Sequence, residues 1–179
     1  AIVAEGFEAG GHNGREETTT FTLIPMVKEK IQIPLIAAGG IATGKGMLAA
    51  MVLGADGVQI GSRFVASEES SAHINFKNKV IEAKDGDTLL TLKELAPVRL
   101  LKNKFSNDVL ELYKSNPSKQ DLIDLLGRAR AKRGMFEGDL EDGELEIGQI
   151  TGLINKIQPA SKIIKEIISE YNFEKNNLK

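Results

Sequence analysis

Ile36-Ala37-Ala38-Gly39-Gly40-Ile41, followed by Val58-Gln59-Ile60-Gly61-Ser62-Arg63, is the pair of stretches from which the fold can be read. Each is a short apolar run that breaks into glycine and leads into a helical pattern. Runs of this length fit strands buried on both faces, and glycine at the carboxyl end lets backbone N–H groups approach a ligand. In barrels of eight β/α units, the loops after the last two strands and the start of a short extra helix commonly hold a phosphate. Gly39, Gly40, Gly61 and Ser62 have the composition for such a nest. Taken alone, the two stretches fit ordinary packing turns as well.

Working outward, strand, loop and helix alternate. The first strand spans Ala1 to Glu5, and a polar, glycine-rich loop runs from Gly6 to Glu17. Thr18, Thr19 and Thr20 offer N-caps for a helix with Leu23, Ile24, Val27 and Ile31 on one face and Pro25 in its first turn. Thr43 caps a second helix that stops at Gly54, and a strand over Gly57 to Ile60 follows. Short buried strands joined this way form a parallel sheet. Beyond Phe64 the pattern predicts helices without strands: Ala72 to Ala83, Val98 to Lys114, Ser118 to Lys132, Gly148 to Ile157 and Ala160 to Tyr171, with a frayed tail from Glu174 to Lys179. The chain thus divides into β/α units over 1–71 and a helical region over 72–179. It opens inside a strand pattern with no initiator methionine, so the expected natural terminus lies upstream.

Composition narrows the function. At 179 residues, 41% hydrophobic and 27% charged, the chain can bury a core. A formal net charge of −2 gives no global attraction to nucleic acid or anionic membrane. The basic cluster Arg128, Arg130, Lys132 and Arg133 is followed by Glu137, Asp139, Glu141 and Asp142, and reads as a solvated face. No cysteine is present, which excludes disulfides and thiolate chemistry. A cytoplasmic location is the expectation, with no membrane partner. No metal-ligand spacing or nucleophile elbow is found, so no metal site is expected.

The residues with most chemistry lie in Glu8-Ala9-Gly10-Gly11-His12-Asn13-Gly14, at the carboxyl end of the first strand, where parallel folds place ligands. An imidazole can take or give a proton near pH 7, so His12 can serve as general acid or base, or as a loop histidine with one structural hydrogen bond. His73 reads as structural or exposed.

Together, Ala4-Glu5-Gly6-Phe7-Glu8-Ala9-Gly10-Gly11-His12, Ala37-Ala38-Gly39-Gly40-Ile41 and Leu53-Gly54-Ala55-Asp56-Gly57-Val58-Gln59-Ile60-Gly61-Ser62-Arg63-Phe64 resemble the nitronate monooxygenase (2-nitropropane dioxygenase-like) family, which includes the flavin-dependent enoyl-acyl-carrier-protein reductases. The resemblance runs on through Val98-Arg99, Glu137-Gly138-Asp139 and Gly148-Gln149. It implies an α/β chain that is the C-terminal part of an FMN-binding (β/α)8 TIM barrel, its last three β/α units followed by a helical segment, with strands one to five missing. It also implies that Glu5 and Gly10 line the flavin, that Gly40 lies on one phosphate loop and Gln59, Ile60, Gly61 and Ser62 on the second, and that His12 is the active-site histidine. Glu5 stands where the monooxygenases often have glutamine, which leans toward the reductases; Ser62 stands where threonine is usual, and either hydroxyl can donate to phosphate. The implied substrate is an alkyl nitronate, or an enoyl thioester reduced with NAD(P)H; a silent binding module is the alternative of another class. A homodimer is compatible with all three.

Overall fold

The computed structural model describes residues 1–178. Strand β1 (Ile2–Glu5) is followed by a loop containing the two-residue strand β2 (Gly11–His12), helix α1 (Thr20–Lys28), strand β3 (Leu35–Ala38), helix α2 (Gly44–Val52), strand β4 (Gly57–Gln59) and the single-turn helix α3 (Ser62–Val65). β1, β3 and β4 form a parallel sheet in that order, with Ile2 opposite Leu35 and Ala38 opposite Gln59. The central strand is the apolar one: Leu35 and Ala37 are fully buried against Ile24 of α1 and Ala50 of α2. β1 and β4 lie at the edges, and Ile2 and Val3 of β1 are 38% and 53% exposed.

Polar side chains fix where the units start and stop. Asp56 accepts from the Leu35 N–H and from Lys28 Nζ, each at 2.9 Å, tying the end of α1 and the entry to β4 to the start of β3. Those two donors hold its carboxyl below the usual range. Thr43 Oγ1 accepts from the Gly46 N–H at 3.0 Å, as a cap should, and Gly54 follows the helix at φ +109°. Pro25 differs from expectation. α1 begins at Thr20, so the proline lies a turn inside the helix, where its missing N–H leaves the carbonyl of exposed Phe21 without an intrahelical partner.

The rest of the chain comprises helix α4 (Ile74–Glu82), strands β5 (Thr88–Thr91) and β6 (Val98–Leu101), helices α5 (Lys104–Tyr113), α6 (Lys119–Leu126) and α7 (Arg130–Met135), a 3-10 turn over Gln149–Leu153 and helix α8 (Ala160–Asn177). The region is mainly helical, but the helix expected over Val98 to Lys114 is a strand for its first four residues. Val98, Arg99, Leu100 and Leu101 are all buried, and β6 pairs antiparallel with β5 on one side and β2 on the other. α5 starts only after Asn103, whose side chain accepts from the Ser106 N–H in a capping box. The helix expected over Ser118 to Lys132 is broken at Gly127 and Ala129, both with positive φ. The one expected over Gly148 to Ile157 is reduced to the 3-10 turn, while α8 runs past Tyr171 to Asn177. Lys179 lies outside the described residues.

Arg130 of the basic cluster is a structural residue. It stacks 4.5 Å over the Phe105 ring and donates to the Leu125, Leu126 and Asp142 carbonyls, each at 2.7 Å. Lys132 and Arg133 pair with Glu137 and Asp139. Buried Lys77 donates Nζ to the carbonyls of Ser67, Glu68 and Ser70, fixing the turn after α3. Among the described residues, no helix is long and apolar enough to cross a membrane.

Candidate active site

A cleft of about 270 Å³ opens at the carboxyl ends of β1, β3 and β4. Glu5, Gly10, Gly39, Gly40, Gln59, Gly61 and Ser62 line it. Of the expected site residues, Ile60 and His12 are outside this wall: Ile60 packs partly buried against the core under the sheet, and His12 is exposed on β2, one residue beyond Gly11 in the wall.

The glycines have separate physical reasons. Gly39 and Gly40 have φ +91° and +65°, and a Cβ on Gly39 would stand 2.6 Å from the Gly6 carbonyl oxygen. Around Gly61 the space is open, with no atom within 4 Å of a Cβ position. The N–H groups of Gly39, Gly40, Gly61 and Ser62 meet no acceptor among the described residues. Ser62 Oγ accepts from the Gly148 N–H at 2.9 Å, leaving its own proton free to donate. Five donors thus belong to residues of the cleft wall, which holds no cationic side chain.

Distant chain closes the cleft. The Gln149 N–H donates to the Glu8 carbonyl at 2.9 Å, and a Cβ on Gly10 would lie 2.4 Å from Gly148 N, so the two loops touch backbone to backbone. Met135, Ile147 and Ile150 give the far wall an apolar surface.

Four side chains in or around the cleft carry no local signal in the sequence. Glu8 accepts the Thr20 N–H on its carboxylate, at 2.9 Å to Oε2, and so caps α1 in place of Thr19, whose side chain makes no cap bond. Arg99 is buried; it donates Nε and an Nη to the Phe7 carbonyl and lies 4.6 Å over the Phe7 ring, which holds the loop after β1. Burial lowers its pKa, with Glu8 and Glu17 acting against that. Glu144 and Glu146 approach from the last third of the chain, Glu146 in the wall and Glu144 behind it. Burial raises both carboxyls, and a second carboxylate nearby takes Glu144 to about 7. Partial desolvation also pushes Glu5 up.

Glu144 has a consequence for stability. In the folded protein its carboxyl keeps a proton up to about pH 7, whereas in the unfolded chain it loses it near pH 4.5. Between those values the folded state binds more protons, so stability falls as pH rises and levels off above about 7. Allowing for solvent screening, the loss is on the order of 2 kcal/mol, or roughly 4–8 °C in Tm. Glu144→Gln should flatten this decline in thermal scans between pH 4.5 and 8; parallel curves would remove the assignment.

A parallel sheet with helices behind it and a ligand-sized cleft at the carboxyl ends of its strands is the arrangement of β/α-barrel enzymes. The nitronate monooxygenase family model matches residues 1–170, and the chain belongs to that family. Proteins named probable nitronate monooxygenase from Staphylococcus saprophyticus and Staphylococcus aureus are 33% and 34% identical to it over 181 residues. Each match covers 96% of this chain and 50% of the relative, so the chain spans about half the length of the curated relatives it matches. The solved structure of FabK from Thermotoga maritima is 43% identical with a TM-score of 0.90, over 98% of this chain and 55% of that one. Nitroalkane oxidase from Streptomyces ansochromogenes is 28% identical with a TM-score of 0.78, over 99% and 53%. The relatives' names are those of oxidoreductases, and the three parallel units with their C-terminal helices are the C-terminal part of a (β/α)8 barrel.

Proposed function

We propose that this chain carries the phosphate-binding and proton-handling side of an FMN-dependent oxidoreductase that oxidises alkyl nitronates with oxygen. The observation that supports the reading is the nest: four backbone N–H groups without an acceptor and the Ser62 hydroxyl belong to residues that line the cleft at the strand ends. A flavin mononucleotide phosphate would suit that donor set, because its oxygens can accept hydrogen bonds from such groups, and the φ values of Gly39 and Gly40 suit glycine. When bound, the flavin supplies the electron transfer between substrate and oxygen. Gly10 and Gly148, packed backbone to backbone, keep the wall thin beside it, and Glu5 and Gln59 present polar groups at the strand ends. His12 holds or moves a proton beside Glu146.

A second reading, a reductase passing hydride from NAD(P)H to an enoyl thioester, is favoured by the 43% identity to FabK and by Glu5 in place of glutamine. Anaerobic titration of the purified protein separates the two. An alkyl nitronate should bleach the bound flavin, and air should restore it. Bleaching by NAD(P)H alone would move the assignment to the reductase, and a protein that binds no flavin would be a binding module.

A further inference from the structure

Two distant stretches of chain sit end to end along one edge of β6. Gly11 and His12 pair with Arg99 and Val98; beyond them Glu146 bridges to Leu100, and the Leu101 N–H donates to the Leu145 carbonyl at 2.8 Å. The Glu146 carboxylate therefore lies against the backbone that carries His12: Oε2 is 2.6 Å from where a Cβ on Gly11 would be. Gly11, at φ +73°, has no side chain to displace the carboxylate. Glu146 lines the cleft, while Glu144 behind it is 7% exposed. Burial and neighbouring charge act on these carboxyls, and no hydrogen bond does. Glu146 is half-buried and lines the cleft, so its carboxylate can meet solvent or a bound molecule there.

We propose that Glu146, with Glu144 behind it and His12 beside it, is a proton-transfer group of the cleft, in which Glu146 exchanges the proton with bound substrate. The nature of that substrate rests on the oxidoreductase reading; the shared protonation of the three residues does not. For a nitroalkane, the conjugate acid of the nitronate, the C–H bond breaks with its electron pair left on the substrate as the nitronate, and the proton forms an O–H bond on the Glu146 carboxylate. In the opposite direction the protonated carboxyl gives it back. Glu144 and Glu146 oppose each other's ionisation, so the pair holds a proton near neutrality, and a charged His12 draws both carboxyls down. Arg130 on α7 draws Glu144 down, and the carboxyl groups of Glu5 and Glu8 line the same cleft as Glu146. Arg99, on β6 itself, turns its guanidinium to the Phe7 carbonyl.

The protonation is testable without substrate by carboxyl-carbon NMR of protein labelled at glutamate. Glu144, assigned through Glu144→Gln, should titrate near 7. Glu146→Gln should lower that midpoint, and His12→Asn should raise it, each by at least about half a unit. A midpoint unmoved by both overturns the shared group. The transfer is tested by flavin reduction across pH, where Glu146→Gln, retaining flavin, should be slowed by about 10-fold or more and lose one limb of the profile. A variant within about twofold of wild type with the same profile overturns the role of Glu146. If wild-type flavin is reduced by no substrate offered, the oxidoreductase reading fails, and the titration alone decides the proposal.

Discussion

Gly61→Asp should empty the protein of flavin without unfolding it. The two halves of that expectation have separate grounds. A side chain at Gly61 meets open space, with no atom within 4 Å of its Cβ, and the residue's φ of −98° suits any L-amino acid. The sheet beneath need not move. A carboxylate there, however, stands beside the N–H groups of Gly61 and Ser62, where it competes with a phosphate for the donors and repels it. Gly61→Ala adds bulk without charge and should keep most of its flavin. Gly39→Val should fail differently, by disrupting the loop, since its Cβ would stand 2.6 Å from the Gly6 carbonyl oxygen at φ +91°. Flavin absorbance per protein, with circular dichroism on the same samples, reads both effects. Normal flavin content in a folded Gly61→Asp protein would refute the nest.

The second large effect is expected at His12. Asparagine there keeps a polar, planar side chain and leaves the pairing of β2 with β6 intact, because that pairing is made by the backbone. The nest lies on the other loops, so flavin content should be nearly unchanged, while substrate turnover falls by roughly 100-fold if the imidazole does acid or base work. Steady-state rates at saturating substrate measure it. A variant within about threefold of wild type would make His12 a loop residue with no part in proton transfer.

The parallel sheet was legible because its signals are local. Leu35 to Ala38 is uniformly apolar, Thr43 and Gly54 bracket α2, and Gly39, Gly40 and Gly61 mark the strand ends where the cleft opens. The antiparallel sheet was not legible, and the reason is a coincidence of spacing. Val98, Leu101, Phe105 and Val109 fall at intervals that match one face of a helix, although the first two belong to a strand and the last two to α5. Asn103, the cap between them, was the signal that distinguishes the cases. β2 has only two residues, and its pairing with β6 comes from tertiary contact that no local pattern reports. The site divides along the same line. Its glycines were readable from backbone requirements, whereas Glu8, Arg99, Glu144 and Glu146 act across long sequence separations. Glu8 caps a helix that starts twelve residues later, an interval no capping motif uses.

The strap that closes the cleft also orders events during synthesis. Ser62 Oγ and the Gly148 N–H are 86 residues apart in sequence, and the Glu8 carbonyl waits still longer for Gln149. Translation delivers about 5–20 residues per second, so the strands that bear the nest leave the ribosome several seconds before the segment that completes the wall. During that interval the nest has its donors but no lid, and contacts between such distant residues form late because loop closure precedes any gain. Under the proposed reading, retention of flavin would therefore report that the last third of the chain has been made and docked, which a truncated product would not imitate.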